Sequence, residues 1–345
     1  MKALSKSEAR GTTIYQVAER ADVSIATVSR VLRGTTPVAA ATRERVLAAM
    51  DDLRFTPSRL GRSLAERQHA ANGIVFPDLS GPYFAEVVLG YEEVAAEVGR
   101  SVLILSTHGR QAARDMVLDL AARVDGMVVL GRTVGDDVIA DLVGKNLPVV
   151  VIAREPVEGV DSVNTENARS AGSLGDHLVG HGYRRVQFLG DADTSADTCQ
   201  RWLGLCRSLR RSAVAVPAEP VACAFDEQGG RAAATRLLRA DPPEALVCAN
   251  DEIALGAITA AEDLGLRVPD DLAVTGWDDV MAARHSRPGL TTVSQPMRHL
   301  GAWAARRLHE RLAGDTSPSR HEVLPTHLVV RSSCGEHGHH PEEDR

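Results

Sequence analysis

A short stretch near the amino terminus combines small polar and basic side chains at a helical spacing. Ala26, Ser29, Arg30 and Arg33 recur at i, i+3, i+4 and i+7, so they share one face of a helix. Hydroxyl and guanidinium groups on such a face can hydrogen-bond to base edges in a DNA major groove. The spacing therefore favours sequence-specific recognition of DNA.

Two short helices joined by a tight turn are predicted to present that face. Thr13 can cap a first helix from Ile14 to about Ala21, and Ser24 can cap the second helix. Asp22, at the turn, tolerates a left-handed conformation better than most residues. The arrangement is a helix-turn-helix, whose second helix enters the major groove.

The opposite side of the second helix is apolar. It carries Val28, Val31 and Leu32, which are predicted to face a small core. Because neither helix is long enough to persist alone in water, a third helix over about 41–53 is expected to close that core. Its inward side chains are predicted to be Val46, Leu47, Met50 and Leu53. The alternative, a structural three-helix cap without DNA, leaves the outward polar face unexplained.

The sequence resembles the lactose-repressor/galactose-repressor (LacI/GalR) family. The motif Thr-Ile-Tyr-x-Val-Ala spans 13–18, and Val-Ser-x-x-Thr-Val-Ser-Arg-Val-Leu spans 23–32. Further matching segments lie at 42–46, 53–57 and 329–333. The resemblance thus covers nearly the whole chain. It implies a homodimeric transcriptional repressor whose affinity for operator DNA is set by a small effector.

On this resemblance, DNA contacts are expected in the head and in a hinge over residues 58–71. The predicted DNA-binding residues are Thr13, Tyr15, Ser24, Ile25, Ala26, Thr27, Ser29, Arg30, Arg33, Arg59 and Leu64. Arg30 is the best candidate for a guanine contact. Leu64 matches a family leucine that wedges a base step in the minor groove. Gly61 stands where the family usually has Ala and weakens a hinge helix; the alternative is a plain flexible linker.

Composition is ordinary for globular proteins. The chain has 345 residues, 44% of them hydrophobic and 25% charged, which suggests two or three domains. We expect a cytoplasmic protein without membrane contact, because the sequence has no bilayer-length apolar run and no signal-peptide pattern. The five cysteines show no Cys-x-x-Cys pair and are expected to be free thiols. We expect no cofactor and no metal, the alternative for a metal being the histidines at 337–340.

The charge is divided unevenly along the chain. Residues 1–70 contain twelve Lys or Arg and seven Asp or Glu, a net charge of +5, whereas the whole chain carries −7 and the remainder therefore −12. A basic amino-terminal head is attracted to phosphates while an acidic body is repelled from them.

From residue 72 onward, short apolar runs alternate with longer amphipathic stretches. The strand-like runs are Gly73–Phe76, Ser101–Leu105, Gly126–Leu130, Pro148–Ile152, Arg185–Leu189, Ala245–Cys248 and Leu272–Thr275. Helices such as 84–98 and 168–182 lie between them. This alternation predicts parallel sheets flanked by helices. No Gly-x-Gly-x-x-Gly follows the first strand, so a dinucleotide-binding fold is not supported.

The resemblance adds a specific architecture to this pattern. It implies an N-terminal all-α helix-turn-helix domain over 1–57 and a two-lobed, periplasmic-binding-protein-like α/β domain over 72–334. The predicted lobes are about 72–162 with 293–321, and 163–292 with 322–334. The tail over 335–345 is expected to be disordered. Because it lacks the leucine heptad of the family's tetramers, we predict a homodimer.

The resemblance also implies a ligand site between the lobes. The predicted effector-binding residues are Tyr83, Phe84, Arg154, Arg201, Phe225, Asn250, Asp278 and Gln295. Aromatic rings can stack on a sugar ring, and polar side chains can bind its hydroxyls. Structural alternatives are a core role for the aromatics, a surface salt bridge for Arg201 and a turn role for Asp278.

These patterns predict an effector-controlled DNA-binding regulator, most consistent with a repressor. The expected effector is a sugar or a sugar derivative. A phosphorylated or acidic ligand is the alternative, since Arg132, Arg154 and Arg201 are candidates for the pocket. A solute-binding protein without DNA function is the competing class. An enzyme is not supported, because we find no nucleophile elbow, phosphate loop or metal-spaced His/Cys set.

Overall fold

The computed structural model describes residues 12–33, 37–55 and 69–335. The chain divides into two compact units, which we call the head (up to residue 69) and the body (from residue 70). The predicted fold class, an all-α head followed by an α/β body with parallel sheets, is confirmed. Most of the predicted hinge and tail lies outside the described residues.

The head is built from α1 (Ile14–Arg20), α2 (Ile25–Arg33) and α3 (Ala40–Asp52). A capping box begins α1: the backbone N–H of Thr13 donates to Oε1 of Gln16 at 2.8 Å. Such a reciprocal cap satisfies amide groups that the first helical turn leaves without partners.

The turn between α1 and α2 follows the predicted chemistry. Asp22 has a φ of 52°, in the left-handed region, which Asp adopts more readily than most residues. Ser24 precedes α2, and its Oγ accepts a hydrogen bond from the backbone N–H of Thr27 at 3.2 Å. The two helices are therefore joined without a glycine.

The three helices of the head close around a small apolar core. Its buried residues are Val17, Ala18, Ala21, Val28, Val31, Val46 and Ala49. Leu32, Met50 and Leu53 pack against this core from partly buried positions. Since each helix is short, the tertiary contacts supply most of their stability.

The prediction that Leu47 belongs to this core was wrong. The Leu47 side chain is 47% exposed, whereas Ala49 is buried. The inward face of α3 runs through Val46, Ala49, Met50 and Leu53, at helical intervals of three and four residues. Leu47 is one position beyond Val46 and is therefore rotated by about 100° away from that face.

The first lobe of the body contains a six-stranded parallel sheet. Its strand order is β10-β5-β4-β3-β1-β2. The strands are β1 (Ala71–Phe76), β2 (Ser101–Ser106), β3 (Gly126–Leu130), β4 (Val149–Ile152), β5 (Asp161–Thr165) and β10 (His321–Leu324). The central strands β1, β3 and β4 are buried along their length, as parallel strands covered on both faces must be.

The second lobe contains a smaller parallel sheet with the order β6-β7-β8. Its strands are β6 (Val186–Leu189), β7 (Ala245–Cys248) and β8 (Ala273–Thr275). Two further strands, β9 (Thr292–Ser294) and β11 (His327–Val329), form an antiparallel pair. Both belong to segments that lead from one lobe to the other.

Helices cover the sheets. They are α4 (Pro82–Glu97), α5 (Ala113–Ala121), α6 (Asp136–Gly144), α7 (Ala168–Gly180), α8 (Ala196–Arg211), α9 (Glu227–Ala240), α10 (Asp251–Asp263), α11 (Met281–His285) and α12 (Met297–Leu312). The pairs α4 with α12, α7 with α8 and α9 with α10 pack most extensively. A 3-10 turn at Ser332–Cys334 follows β11.

The first sheet extends further along the chain than the proposed lobe boundaries. β5 runs to Thr165, past the proposed crossing at 162/163, and β10 pairs with it through Val323 opposite Asn164. Residues 322–324, proposed for the second lobe, therefore hydrogen-bond to the first sheet. The sequence pattern missed both strands because β5 and β10 are short and largely polar rather than continuous apolar runs.

Two glycines allow α4 and α12 to approach closely. A Cβ at Gly90 would overlap the carbonyl oxygen of Arg298, and one at Gly301 would overlap the carbonyl oxygen of Val87. We predict that Gly301→Ala forces the helices apart and lowers the free energy of unfolding by about 1–3 kcal/mol. Urea unfolding of the full chain measures this change.

Gly144→Ala is the matched control for this prediction. Gly144 is also helical, but a Cβ there would meet no atom within 4 Å. Alanine at this position should leave stability unchanged or raise it by up to about 1 kcal/mol. Equal unfolding midpoints for the two variants would show that the close approach is not required.

Candidate effector cavity and recognition helix

A cavity of about 460 Å³ lies between the two lobes of the body. Residues that follow β1, β3 and β4 line one side, and residues that follow β6, β7 and β8 line the other. Both sheets therefore point the carboxyl ends of their parallel strands at the cavity. Ligands of open α/β sheets bind at such ends.

Most of the predicted effector-binding residues line this cavity. They are Tyr83, Phe84, Arg201, Phe225, Asn250, Asp278 and Gln295. Tyr83 and Phe84 stand edge to face, with ring centroids 5.3 Å apart, and Phe225 is partly exposed on the other lobe. The chain thus brings together residues that are more than 200 positions apart.

Arg154 is the exception among the predicted effector-binding residues. Its guanidinium is buried outside the cavity lining, where Nη1 donates to the carbonyl oxygen of Val134 at 3.0 Å and Nη2 is ion-paired with Asp136. Ala153 lines the cavity in its place. The side chain of Arg154 therefore braces the loop between β3 and α6 and does not line the cavity.

Arg201, on α8, is buried and held by four groups, one of which is Asp197, whose Oδ2 lies 3.9 Å from Nη2. Its Nε donates to Oδ1 of Asn167 at 2.8 Å, and its Nη1 donates to the carbonyl oxygen of Ala249 at 2.7 Å. The guanidinium carbon lies 4.4 Å from the centre of the Trp277 ring, a cation–π contact. Since the residue is only 6% exposed, Arg201 is not a surface salt bridge.

A chain of buried polar groups runs from Arg201 toward the crossover segments. Nδ2 of Asn167 donates to Oδ1 of Asp197 at 3.0 Å and to the carbonyl oxygen of Thr165, also at 3.0 Å. Oγ1 of Thr165 donates to Oε1 of Gln295 at 2.9 Å, and Nε2 of Gln295 donates to Asp278. The network joins two of the segments that connect the lobes.

Two carboxyl groups of this network are strongly desolvated. Burial raises the pKa of Asp197, against the opposing effects of the Arg201 charge and the Asn167 hydrogen bond. Burial also holds the pKa of Asp278 well above its usual range, although Arg201 favours the ionised form. Perturbed carboxyl groups in a cleft are typical of functional sites.

Backbone geometry at Asp278 is also unusual. Asp278 has a φ of 115° and Asp279 a φ of 61°, values that residues other than glycine rarely adopt. The N–H of Asp278 donates to the carbonyl oxygen of Val293 at 2.8 Å. The strained loop after β8 is therefore held by β9, and it directs Asp278 at the cavity rather than leaving it as a simple turn residue.

Several residues that line the cavity were not predicted from the sequence. The most informative are Asp78, Asp197, Thr198 and Asp226. Asp197 lies one helical turn before Arg201, and Asp226 is the N-cap of α9, with its side chain accepting from the Gly229 N–H at 2.6 Å. An Asp at the start of a helix is a capping signal that the sequence shows, but only the tertiary structure brings this cap to the cavity.

In the head, α2 presents the predicted outward face. Tyr15 is 68% exposed and Ile25 is 40% exposed, and Thr13, Ser24, Ala26 and Arg30 are exposed as well. Thr27 and Ser29 are half-buried. Arg59 and Leu64 lie outside the described residues, and so does the side chain of Arg33.

The described residues contain neither a membrane-spanning helix nor a metal-holding group. Within 12–33, 37–55 and 69–335, no helix combines the length and the apolar character needed to cross a bilayer. In the same ranges, no group of three or more His, Cys, Asp or Glu side chains is arranged to hold a metal ion. All five cysteines are free thiols, as predicted.

A helix-turn-helix head followed by a two-lobed body with a lined cavity defines a class of ligand-responsive DNA-binding proteins. Residues 13–58 match the bacterial regulatory proteins of the lacI family, and residues 175–334 match the periplasmic binding protein-like domain. The chain belongs to the lacI family. It is a DNA-binding transcription regulator and not an enzyme.

Similar proteins span nearly the whole chain. The transcriptional repressor PurR of Mannheimia succiniciproducens is 35% identical over 330 residues, covering 93% of this chain and 98% of the relative. The repressor CytR of Escherichia coli is 31% identical over 335 residues, with 95% and 98% covered.

Solved structures agree with this assignment. The lac repressor dimer bound to operator and the anti-inducer ONPF has a TM-score of 0.83 at 28% identity, covering 95% of this chain and 100% of that chain. The complex of the regulator CelR with cellobiose has a TM-score of 0.70 at 29% identity, with 93% and 99% covered.

The raised pKa of Asp278 predicts a pH-dependent stability. An unfolded Asp ionises near pH 4, whereas the folded group keeps its proton to higher pH, so its contribution to stability falls as pH rises above about 4. We predict that Asp278→Asn becomes more stable relative to wild type as pH increases from 4.5 to 8. The gain is at most about 1.4 kcal/mol per pH unit.

Thermal unfolding of both proteins across this pH range tests the prediction. Asparagine tolerates a positive φ and keeps an Oδ1 that can accept from Gln295. Asp193→Asn, at an exposed position, is the control and should show a pH-independent difference from wild type. A constant difference for Asp278→Asn as well would contradict the prediction.

Proposed function

We propose that the protein is a transcriptional repressor that binds a palindromic operator as a homodimer in the cytoplasm. A small effector in the inter-lobe cavity would control that binding. The observation that carries the proposal is the presence, in one chain, of a recognition helix with an exposed Arg30 and a ligand cavity lined by buried polar groups.

DNA affinity would come mostly from phosphate contacts of the basic head. Residues 1–70 carry a net charge of +5, within a chain whose total is −7. Specificity would come from the exposed Ile25, Ala26 and Arg30 in the major groove and from Leu64 in the minor groove. Thr13, Tyr15, Ser24, Thr27, Ser29, Arg33 and Arg59 are proposed as further contacts.

The proposed effector is a sugar or a sugar derivative. The cavity offers aromatic faces at Tyr83, Phe84 and Phe225 for a ring, and Asp278 and Asn250 for its hydroxyls. The related regulator CelR was solved with cellobiose at 29% identity to this chain. Aromatic stacking combined with a few placed polar groups is the usual basis of such recognition.

An effector would act by changing the relation between the two lobes. A ligand that binds one arrangement of the lobes more tightly shifts the population toward it. That arrangement would decide whether two hinge segments pair on the operator. Because Gln295 lies at a crossover and hydrogen-bonds to Asp278, contact with Asp278 reaches a segment that joins the lobes.

The alternative class, a solute-binding protein without a DNA function, is not supported, because the chain belongs to the lacI family. The match of residues 175–334 to periplasmic binding protein-like domains describes the architecture of the body. Selective binding of duplex DNA by the full chain is the measurable property on which the proposed repressor depends.

Arg30→Ala is predicted to remove the preference for operator over random DNA. The loss of a bidentate guanine contact should reduce discrimination by about 1–3 kcal/mol. The operator is first selected from a random duplex library with the wild-type protein. Binding of selected and scrambled duplexes is then compared at one fixed salt concentration.

Two controls accompany this measurement. Arg239→Ala removes an exposed arginine of the body and should leave both duplex affinities unchanged. Effector binding by Arg30→Ala should also be unchanged, because the head and the body are separate compact units. Unaltered discrimination in Arg30→Ala would contradict its role, and failure to select any duplex would contradict the sequence-specific operator binding that we propose.

The oligomeric state gives a separate prediction. We expect light scattering of the full chain, without DNA, to give twice the mass of one chain. The similar lac repressor was solved as a dimer bound to operator. A stable tetramer in the same measurement would contradict the dimer.

A further inference from the structure

The charge of the cavity lining is unbalanced. Five carboxyl side chains and two guanidinium groups line the cavity: Asp78, Asp197, Asp226, Glu252 and Asp278, with Arg132 and Arg201. A cavity that binds an anion needs available cationic donors. The lining instead has an excess of acceptor groups.

Both guanidinium groups already have partners. Arg132 is ion-paired with Glu155, and its Nη1 donates to the carbonyl oxygen of Asp193 at 3.0 Å. Arg201 is bound to Asn167 and to the Ala249 carbonyl. A phosphorylated or carboxylate ligand would compete with these contacts and would face the five carboxyl groups of the lining, so the structure disfavours the acidic ligand that the arginine count suggested.

Glu252 lies in a particularly acidic environment. It is half-buried on the first turn of α10, and it reaches Gly81 on the opposite lobe, where a Cβ would overlap its carboxylate. Within residues 69–335 its carboxylate forms no hydrogen bond or ion pair. Burial, followed by the charges of Asp226, Glu227 and Asp78, raises its pKa.

A separate observation at the same cavity points to a hydrogen-bonding ligand. Thr198 lines the cavity and is only 1% exposed, yet its Oγ1 has no hydrogen-bond partner among the described residues. A buried hydroxyl without a partner is uncommon, because desolvation without a hydrogen bond is unfavourable. A ligand hydroxyl in the cavity would satisfy it.

We propose that the natural effector is a polyol that carries a protonated amine, such as an amino sugar, with its ammonium group against Glu252. This inference rests on the proposed function and specifies the effector class of the same cavity. An ammonium group would bring positive charge to carboxylates that lack it, while the hydroxyl groups would reach Thr198 and Asp278. A metal cation is not supported, because the described residues contain no metal-holding group.

The first experiment compares matched ligands on the full-length protein. The probes are D-glucosamine, D-galactosamine, D-mannosamine and 1-amino-1-deoxy-D-glucitol. Each is measured beside its hydroxyl counterpart, its N-acetyl counterpart and D-glucose 6-phosphate. We expect at least one amine to bind about tenfold more tightly than its neutral counterparts, since a charge-assisted hydrogen bond replaces a neutral one.

Glu252→Gln tests the position of the ammonium group. It should reduce the preference for the amine to about twofold or less while leaving the neutral counterpart's affinity nearly unchanged. It should also raise the unfolding temperature without ligand, because it removes a carboxylate from a group of like charges. Glu262→Gln, at an exposed position on the same helix, should change neither quantity.

Every outcome bears on the inference. Equal or tighter binding of a neutral or phosphorylated probe, or no binding by any amine, would overturn it. An amine preference that survives in Glu252→Gln would overturn the assigned position. DNA occupancy separates this inference from the proposed function: if a neutral sugar alters operator binding, the regulator stands and the amine class falls. If an amine binds without altering operator binding, the amine class stands and the proposed control of operator binding falls.

Discussion

Burial of the Arg201 guanidinium is the interaction on which the body depends. A cation removed from water is tolerated only if its hydrogen bonds and charge are compensated. For Arg201 this compensation comes from the Asp197 carboxylate on the same helix and from three separate places: Asn167 at the start of α7, the carbonyl of Ala249 after β7 and the ring of Trp277 after β8. The ends of two strands and the start of a helix must therefore meet at one point.

The same constraint ties the segments that connect the lobes. Thr165 hydrogen-bonds to Gln295 at 2.9 Å, and Oγ1 of Thr326 donates to the carbonyl oxygen of Glu166 at 2.7 Å. The three connections are thus linked by short polar contacts, which are buried at Thr165 and Gln295 and half-buried at Glu166 and Thr326. A rotation of one lobe against the other must change these contacts together, which suits a device with two discrete arrangements rather than a continuous range.

Charge is also distributed unevenly between the head and the body. The amino-terminal 70 residues are basic, and the remainder is acidic. Part of that acidity is concentrated in the cavity, where burial raises the pKa of Asp197, Asp278 and Glu252. Only the head is then attracted to a polyanion. The cavity, by contrast, is lined mainly by carboxyl groups, which would favour a cationic group in the ligand that we propose.

Local sequence patterns determined the helices of the head and the buried strands, whereas the resemblance to the lacI family predicted much of the cavity lining. Capping residues and helical spacing located α1 and α2, and continuous apolar runs located β1, β3, β4 and β7, because these signals act between near neighbours in sequence. Only the tertiary structure decided the remaining features. The polar strands β5 and β10 exist because they pair with each other, and Arg154 lies outside the cavity because Asp136 and a loop carbonyl hold it there. The pKa values of Asp197 and Glu252 are raised because the fold buries these side chains among groups distant in sequence. No pattern within a single helix or strand predicts that burial.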